Sequence, residues 1–326
     1  MVGQRFKEIY KIENSVAVIG AGLMGAGIAG EFARGGYDVV LVDTHEAALE
    51  KGLQSIQHAQ QTLVDVGHVS EESAAAALGR LQRTTNLAEA CAGVEVLVEA
   101  VPENLAIKQE MYAKFDQLCL PDTILASNTS GLSISKIASA TTRPEKVVGL
   151  HFWNPPHVVP LVEVTKGEGT LDATAEYMMD VCRKLGKKPI LVQHDIPGFV
   201  GNRLQYAVVR EALHLVAEGV ASPEDVDLAM TAGPGLRYGL LGPLRTADLG
   251  GLDVFCAISE YLCADLNADV GASPVLKDLV EQGKLGAKTG EGFYSYSGDE
   301  LNDFLARRDR VLLGFLDVLK REAGDE

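Results

Sequence analysis

A histidine and a glutamate on either side of a proline-rich turn have the clearest potential for chemistry. His151 ends an apolar run and is followed by Phe-Trp-Asn-Pro-Pro, and a second apolar run, residues 161–165, carries Glu163. If the two runs pair as antiparallel strands about His157, residues 151 and 163 lie opposite each other, because 157 is midway between them. An imidazole held by a carboxylate can act as a general base. The spacing therefore predicts a His–Glu base. A satisfied structural histidine is the alternative for His151, and we expect His157 to be a solvated loop residue.

A glycine-rich segment near the start of the chain predicts a dinucleotide site. The apolar run 16–19 leads into Gly20-Ala-Gly-Leu-Met-Gly25, and a helical pattern follows. The glycines permit a tight turn, close approach of a pyrophosphate and packing of helix on strand, while the helix N-terminus favours the phosphates. Asp43 ends the next run, where a carboxylate accepts both adenosine-ribose hydroxyls and repels a 2′-phosphate. We expect NAD to be the cofactor, contacted by Gly20, Gly22, Leu23, Met24, Gly25 and Asp43.

A third polar segment, Ala126-Ser-Asn-Thr-Ser-Gly131, follows the apolar run 123–126. In an open parallel sheet, ligands bind beyond the carboxyl ends of the strands, so Asn128 and Ser130 are expected on the cofactor's side. A serine-rich turn that caps a short helix at 133–138 is an equally good interpretation of the same residues.

The secondary-structure elements that carry these residues fall into two regimes. Short β-branched runs alternate with helical stretches up to about residue 193, at 16–19, 39–42, 94–98, 123–126, 147–150, 161–165 and 189–192, with a further short strand at 81–85. This pattern predicts an α/β, doubly wound, mostly parallel sheet of Rossmann type, with a long helical excursion over 51–79. After Asp195-Ile-Pro-Gly the pattern is helical, at 199–219, from Ser222-Pro223 onward, at 243–267 and at 299–322. We expect a Rossmann domain over residues 1–194 and an all-α domain over 195–326.

Composition excludes several classes of protein. The 326 residues carry 29 basic and 45 acidic side chains, a net charge of −16, which disfavours binding to nucleic acid or anionic lipid. The five cysteines are scattered without a C-x-x-C pair, which indicates reduced thiols and neither a disulfide framework nor a metal site. The first residues do not read as a signal peptide, and no apolar run of membrane-spanning length occurs. We therefore expect a soluble, cytoplasmic protein.

The ordered motifs resemble those of the NAD-dependent 3-hydroxyacyl-CoA dehydrogenases. They are the glycine segment 20–28, Glu-Asn-Leu at 103–105 with Lys108, Ser-Asn-Thr-Ser at 127–130, His-Phe-x-Asn-Pro at 151–155 with 161–164, Pro-Gly-Phe at 197–199 with Asn202-Arg203, and the segment 284–294. The resemblance implies that His151 is the base and Glu163 its orienting carboxylate. It implies that Ser130 and Asn202 bind the reacting oxygen, and that NAD contacts Glu103, Lys108 and Asn128. It also implies a homodimer through the helical domain and a reaction without metal.

Two departures from the family bear on the substrate. No Lys or Arg occurs from residue 52 to 79, where acyl-CoA enzymes carry lysines for the nucleotide end of CoA. The segment Gly233-Pro-Gly-Leu-Arg237 is similar to relatives acting on small hydroxy acids such as gulonate or carnitine, and an arginine can clamp a free carboxylate. A surface or interdomain ion pair is the alternative role for Arg237.

Three hypotheses follow. The first is a 3-hydroxyacyl-CoA dehydrogenase, which would act in fatty acid metabolism. The second is a dehydrogenase of a small hydroxy acid held by Arg237. The third is an NAD-binding protein without catalytic activity, which the joint presence of His151, Glu163, Ser130 and Asn202 disfavours.

Overall fold

The computed structural model describes residues 14–323, and its N-terminal part is built on one eight-stranded sheet. The strands lie in the spatial order β3-β2-β1-β4-β5-β6-β7-β8, and every neighbouring pair is parallel except β6 and β7. In chain order they are β1 (Ser15–Ile19), β2 (Asp38–Val42), β3 (Leu81–Thr84), β4 (Val96–Glu99), β5 (Ile124–Ser127), β6 (Val147–Phe152), β7 (Leu161–Lys166) and β8 (Lys188–Val192). The predicted doubly wound sheet is confirmed.

Helices cover both faces of this sheet, because the strands are apolar on both sides. One face packs Ile28 and Phe32 against Val16 and Val18, and the other packs Tyr112 and Phe115 against residues that alternate with them on the same strands. The helices are α1 (Leu23–Arg34), α2 (Glu46–Asp65), α3 (Glu71–Gly79), α4 (Leu87–Cys91), α5 (Leu105–Leu118), α6 (Ile134–Ala138) and α7 (Asp172–Lys184), with a 3₁₀ turn at Pro144–Lys146.

The helical excursion predicted over 51–79 is two helices, α2 and α3. The chain leaves α2 at Val66 and turns through Gly67, which has a φ of 73° that only glycine adopts readily. Ser70 then begins α3, since its hydroxyl accepts the backbone N–H of Ser73. The continuous helical pattern in the sequence hid this break.

The chain divides into two compact units between Arg203 and Leu204. The second unit is helical, as predicted. Its helices are α8 (Gly201–Ala217), which begins before the division, α9 (Pro223–Ala232), α10 (Pro234–Gly250), α11 (Leu252–Leu262), α12 (Pro274–Glu281) and α13 (Gly298–Ala323). Ser222 caps α9 through the N–H of Asp225, with Pro223 in the first turn, which confirms the predicted helix start.

The single helix predicted over 243–267 is wrong. Helical structure already begins at Pro234, kinks at Gly242 before Pro243, and stops at Gly251 before α11. Gly242 and Gly251 have φ values of 73° and 93°. Proline cannot donate the hydrogen bond of a continuous helix, and glycine allows the reversal of φ, so both breaks have a local cause.

Apolar side chains of the helical unit are mostly open to solvent in the single chain. Among its described residues only Thr246 and Leu313 are buried, while Leu244 is 83% and Tyr261 67% exposed. No helix within residues 14–323 has both the length and the apolar character needed to cross a bilayer.

Candidate active site

His151 and Glu163 meet across the antiparallel pair β6–β7. The register places the two residues opposite each other, and His151 Nδ1 lies 2.8 Å from Glu163 Oε2. His151 is 6% exposed, Glu163 is fully buried, and the rings of Trp153 and Phe199 lie beside the imidazole. The predicted pairing is confirmed, because the strands fold about the turn at the position that the spacing requires.

The hydrogen bond fixes the histidine tautomer. An ionised carboxylate oxygen only accepts hydrogen bonds, so Nδ1 carries the hydrogen and donates it to Glu163 Oε2, and Nε2 of the neutral ring keeps its lone pair. This nitrogen is the one able to accept a proton from another molecule. The pair therefore has the chemistry of an oriented general base.

Glu163 also holds the start of α8, which the sequence did not predict. Its Oε1 accepts the backbone N–H groups of Val200 and Gly201 at 3.0 and 2.9 Å, and Trp153 Nε1 donates to Oε2 at 3.3 Å. Burial alone would raise the pKa of Glu163, but the hydrogen bonds from His151, Gly201 and Val200 outweigh it and lower that pKa. The carboxylate therefore stays ionised beside the imidazole.

Ser130 and Asn202 are adjacent in the structure. Asn202 Nδ2 donates to the backbone carbonyl of Ser130 at 2.9 Å, and the hydroxyl of Ser130 takes part in no hydrogen bond among residues 14–323. Asn128 Oδ1 accepts the N–H of Phe152, directly after His151, at 2.8 Å. The loop after β5 is thus tied to the histidine strand on one side and to Asn202 on the other. Ser133 caps α6 through the N–H of Lys136, which confirms the helix cap, while the part of Asn128 and Ser130 on the cofactor's side stays a prediction.

Glu103 and Lys108 belong to a polar network that fixes this loop. Glu103 Oε1 accepts the N–H of Ser130 at 2.9 Å and the hydroxyl of Thr129 at 2.6 Å. Lys108 is 1% exposed, and its Nζ lies 2.6 Å from Glu99 Oε1 and 3.4 Å from Glu103 Oε2. Glu103 is exposed, whereas Lys108 is held inside the fold.

Glu99 is a site residue that sequence reasoning missed. It ends β4, is fully buried, and also accepts the hydroxyl of Ser127 at 2.7 Å. Its place at the carboxyl end of a strand, in Val-Glu-Ala-Val-Pro-Glu, was the available signal.

The glycine loop leaves room where a pyrophosphate would bind. A Cβ on Gly20 would lie 2.7 Å from the carbonyl oxygen of Ala100, and one on Gly25 would lie 1.8 Å from that of Gly20, whereas one on Gly22 would meet no atom within 4 Å. Gly20 and Gly25 thus serve backbone packing, and Gly22 faces open space at the N-terminus of α1. Leu23, which follows it, is 66% exposed.

Asp43 stands beside this loop at the end of β2. Its Oδ2 accepts the N–H of Ala21 at 2.9 Å, which orients the carboxylate, and the side chain remains 20% exposed. The arrangement fits an adenosine ribose next to a pyrophosphate.

Arg237 lies in the helical unit, on α10, and is exposed. His157 is partly buried in the turn between β6 and β7. No group of three or more His, Cys, Asp or Glu side chains suited to a metal ion occurs in the described part of the chain.

Comparison with known proteins agrees with this architecture. The NAD-binding domain of 3-hydroxyacyl-CoA dehydrogenase matches residues 15–196, and the C-terminal domain of the same family matches residues 198–296. The chain belongs to the 3-hydroxyacyl-CoA dehydrogenase family. Its relatives are NAD-dependent dehydrogenases that act on CH–OH groups, so it is an NAD-binding oxidoreductase.

Two kinds of family member are similar to this chain. The 5-formyl-3-hydroxy-2-methylpyridine 4-carboxylate 5-dehydrogenase of Mesorhizobium japonicum is 37% identical over 94% of this chain and 98% of its own length. The crystal structure of an enzyme of that activity, described as an NAD⁺-dependent dismutase, has a TM-score of 0.88 with the same coverage.

The second kind acts on acyl-CoA. A probable 3-hydroxybutyryl-CoA dehydrogenase of Bacillus subtilis is 40% identical over 86% of this chain and 96% of its own length. The structure of (S)-3-hydroxybutyryl-CoA dehydrogenase from Ralstonia eutropha is 36% identical, with a TM-score of 0.72, over 87% of this chain and 99% of that one.

Proposed function

We propose that this enzyme oxidises a hydroxyl group of a small carboxylate substrate that carries no CoA. His151 would be the general base, Glu163 its positioning carboxylate, and Arg237 the partner of the substrate's carboxylate. The observation that carries the base assignment is the buried 2.8 Å contact between His151 Nδ1 and Glu163 Oε2.

The chemistry follows from the tautomer. His151 Nε2 takes the proton of the substrate hydroxyl, and the imidazolium that results is stabilised by the ionised Glu163. NAD, held by the glycine loop and Asp43, would supply the acceptor for the hydride that leaves the carbon bearing this hydroxyl. The Ser130 hydroxyl and the Asn202 amide would donate to the substrate oxygen, which keeps partial negative charge while it becomes a carbonyl. In the reverse direction His151 returns the proton.

NAD would be bound by Gly20, Gly22, Leu23, Met24, Gly25 and Asp43 at the adenosine and pyrophosphate end. Glu103, Lys108 and Asn128 would serve the ribose and nicotinamide end. Because Lys108 is buried against Glu99, its part would be to orient Glu103, whose exposed carboxylate can reach a ligand.

The charge of α2 and α3 supports a substrate without CoA. These helices have no Lys or Arg from residue 52 onward, while they carry Asp65, Glu71 and Glu72. The phosphates of CoA are anionic and would meet repulsion there. The match to a pyridine carboxylate dehydrogenase over almost the full length of both chains supports the same substrate class.

A short 3-hydroxyacyl-CoA is the second candidate substrate. It is favoured by the relatives of 40% identity that act on 3-hydroxybutyryl-CoA, and by the match of both family domains.

The test is a measurement of NADH formation with purified enzyme. A panel of hydroxy acids and of carboxylates bearing a hydroxymethyl or aldehyde group is compared with 3-hydroxybutyryl-CoA, and Arg237→Met is assayed beside the wild type. We expect turnover of a free carboxylate and a rise in its KM of about tenfold or more in Arg237→Met, the loss of a bidentate ion pair. Efficient oxidation of the CoA ester alone would favour the second candidate. Absence of NADH with every substrate would favour a catalytically inactive NAD-binding protein.

We also propose that the enzyme is a homodimer joined through its helical unit. Apolar side chains cover α11, where Leu252, Val254, Phe255, Ile258, Tyr261 and Leu262 are all more than a third exposed. The same unit has an apolar cavity of about 590 Å³, lined by side chains of α8, α9 and α12 that include Val209, Leu213 and Leu276. Exposed apolar side chains on α11, together with an apolar cavity elsewhere in the same unit, favour an interface between identical subunits.

A reducing, cytoplasmic location is proposed as well, on the basis of five free thiols, two of which are exposed.

A further inference from the structure

A buried ion pair joins α1, named the cofactor helix because it follows the glycine loop, to a distant part of the chain. Glu31 lies on α1 and Lys187 directly before β8, and Lys187 Nζ is 2.5 Å from Glu31 Oε2. The two side chains are 1% and 4% exposed. Arg34 contacts the same oxygen at 2.5 Å, so one buried carboxylate serves two cations.

The ammonium of Lys187 has a second partner in the turn between β6 and β7, and these two strands with their turn are named the catalytic hairpin. It donates to the carbonyl oxygen of Pro156 at 2.5 Å, between the strands that carry His151 and Glu163. The same proline touches α1 one helical turn before Glu31, where a Cβ on Gly27 would lie 2.8 Å from Pro156 Cγ. The turn is therefore fastened to α1 twice, by close packing at Gly27 and by Lys187 at Glu31.

This fastening connects the two components of the reaction. The N-terminus of α1 starts at the glycine loop that binds NAD, and the turn at Pro156 sets the two strands of the His–Glu pair. Hydride and proton transfer require the base and the nicotinamide to keep fixed positions relative to each other. A shift of about 1 Å can reduce a rate about a hundredfold. We propose that Lys187 and Glu31 are positioning residues that hold the catalytic hairpin in place relative to the cofactor helix. This inference rests on the proposed role of His151.

The electrostatics suit a permanent link. Burial alone would raise the pKa of Glu31, yet Lys187 and Arg34 outweigh it and keep that pKa low. Burial lowers the pKa of Lys187, and Glu31 opposes that shift. Removing Glu31 leaves the buried Lys187 ammonium without a counter-charge, and removing Lys187 leaves Glu31 with Arg34 alone, so each single change also alters the stability of the fold. A variant that removes both charges is therefore needed to separate positioning from folding.

The experiment compares Lys187→Met, Lys187→Arg and the double variant Lys187→Met/Glu31→Leu with the wild type. Lys184→Met is the control, since Lys184 is an exposed lysine at the end of α7. The measurements are kcat with the best substrate, the Kd of NADH by fluorescence, the melting temperature, and amide hydrogen exchange of residues 153–160.

We expect the double variant, if folded at the assay temperature, to lose about tenfold in kcat with the Kd of NADH within twofold of wild type. Amide hydrogen exchange in residues 153–160 should rise in Lys187→Met and in the double variant. Lys187→Arg should recover most of kcat, and Lys184→Met should match the wild type. A folded double variant with normal kcat and normal exchange in an active enzyme overturns the positioning role. An equal loss of kcat and NADH affinity also overturns it, since the pair then serves only the glycine loop. A wild type that binds NADH but has no turnover disproves the proposed function, and the positioning role with it.

Discussion

At the scale of single residues, one carboxylate organises most of the candidate site. Glu163 accepts hydrogen bonds from His151, Trp153, Val200 and Gly201 with its two oxygens. The orientation of His151, its tautomer and the start of the helix that carries Asn202 therefore depend on one buried negative charge. A neutral amide cannot accept at both ends, because its NH₂ group would face donors.

Replacement of the histidine tests the base directly. His151→Gln should reduce kcat by about 10²- to 10⁴-fold, the usual contribution of general base catalysis, and leave the Kd of NADH unchanged. Steady-state kinetics and fluorescence titration give the two quantities. His58→Gln, which changes an exposed histidine on α2, should behave as wild type. Near-normal turnover of His151→Gln would end the assignment of the base.

Glu163→Gln should reveal the stability that the ionised carboxylate contributes. The pKa of Glu163 in the folded protein is below its ordinary value of 4.5, so this contribution is complete above about pH 4.5 and is lost as the pH falls through the folded-state pKa. We expect Glu163→Gln to lower the free energy of unfolding by about 1–3 kcal/mol at pH 7, the cost of leaving buried donors unpaired. The difference from wild type should shrink towards pH 3. Denaturant unfolding at several pH values measures it, and a pH-independent difference would contradict the role of the charge.

At the scale of elements, different glycines of the loop between β1 and α1 serve backbone packing and access for a ligand. Two of its glycines face protein backbone, and Gly22 faces open space. The sequence motif does not distinguish the three glycines, but the atoms around each one in the structure show that their roles differ.

Two alanine substitutions should therefore affect different properties, one the stability of the fold and the other the affinity for NADH. Gly25→Ala places a methyl group against the Gly20 carbonyl and should lower the melting temperature by several degrees. Gly22→Ala should leave the melting temperature unchanged and weaken NADH binding about tenfold or more, because its Cβ occupies the approach to the pyrophosphate. Gly79→Ala at the end of α3, where a Cβ also meets no atom, serves as the control for both measurements. Equal NADH affinity in Gly22→Ala would place the phosphates elsewhere.

At the scale of the whole molecule, the helical unit leaves most of its apolar side chains exposed in the single chain. Its described residues bury Thr246 and Leu313, while α11 exposes both of its sides. A second copy would remove this apolar surface from water at about 25 cal/mol per Å².

Tyr261→Glu should consequently disrupt the dimer. Tyr261 is 67% exposed on α11, and a carboxylate buried in an apolar interface is strongly unfavourable. Light scattering after gel filtration should give about twice 34.7 kDa for the wild type and a value close to 34.7 kDa for the variant. Leu120→Glu is the matched control, because Leu120 is an exposed leucine of the first unit. A monomeric wild type would refute the proposed dimer.

Local patterns in the amino-acid sequence specify much of this protein. The β-branched runs predict the strands, the glycine segment with Asp43 predicts the cofactor loop, and the spacing of His151 and Glu163 about a turn predicts the antiparallel pair. Each of these depends on neighbours in sequence or on a single hairpin, so periodicity and spacing are sufficient. The breaks at Gly67 and Gly251 were missed, because glycine inside a helical pattern is compatible with both a helix and a turn, and the helical stretch from Pro234 to the kink at Gly242 was not predicted.

Long-range packing, in contrast, determines which distant group pairs with each buried charge. Glu31 with Lys187, and Glu163 with the N–H groups of Val200 and Gly201, are pairings between residues at least 37 positions apart in the chain. Acidic and basic side chains are abundant in the sequence, and nothing in their spacing favours one partner over another. Burial makes the selection in the folded chain, because a charge removed from water must find its counterpart within the packed interior.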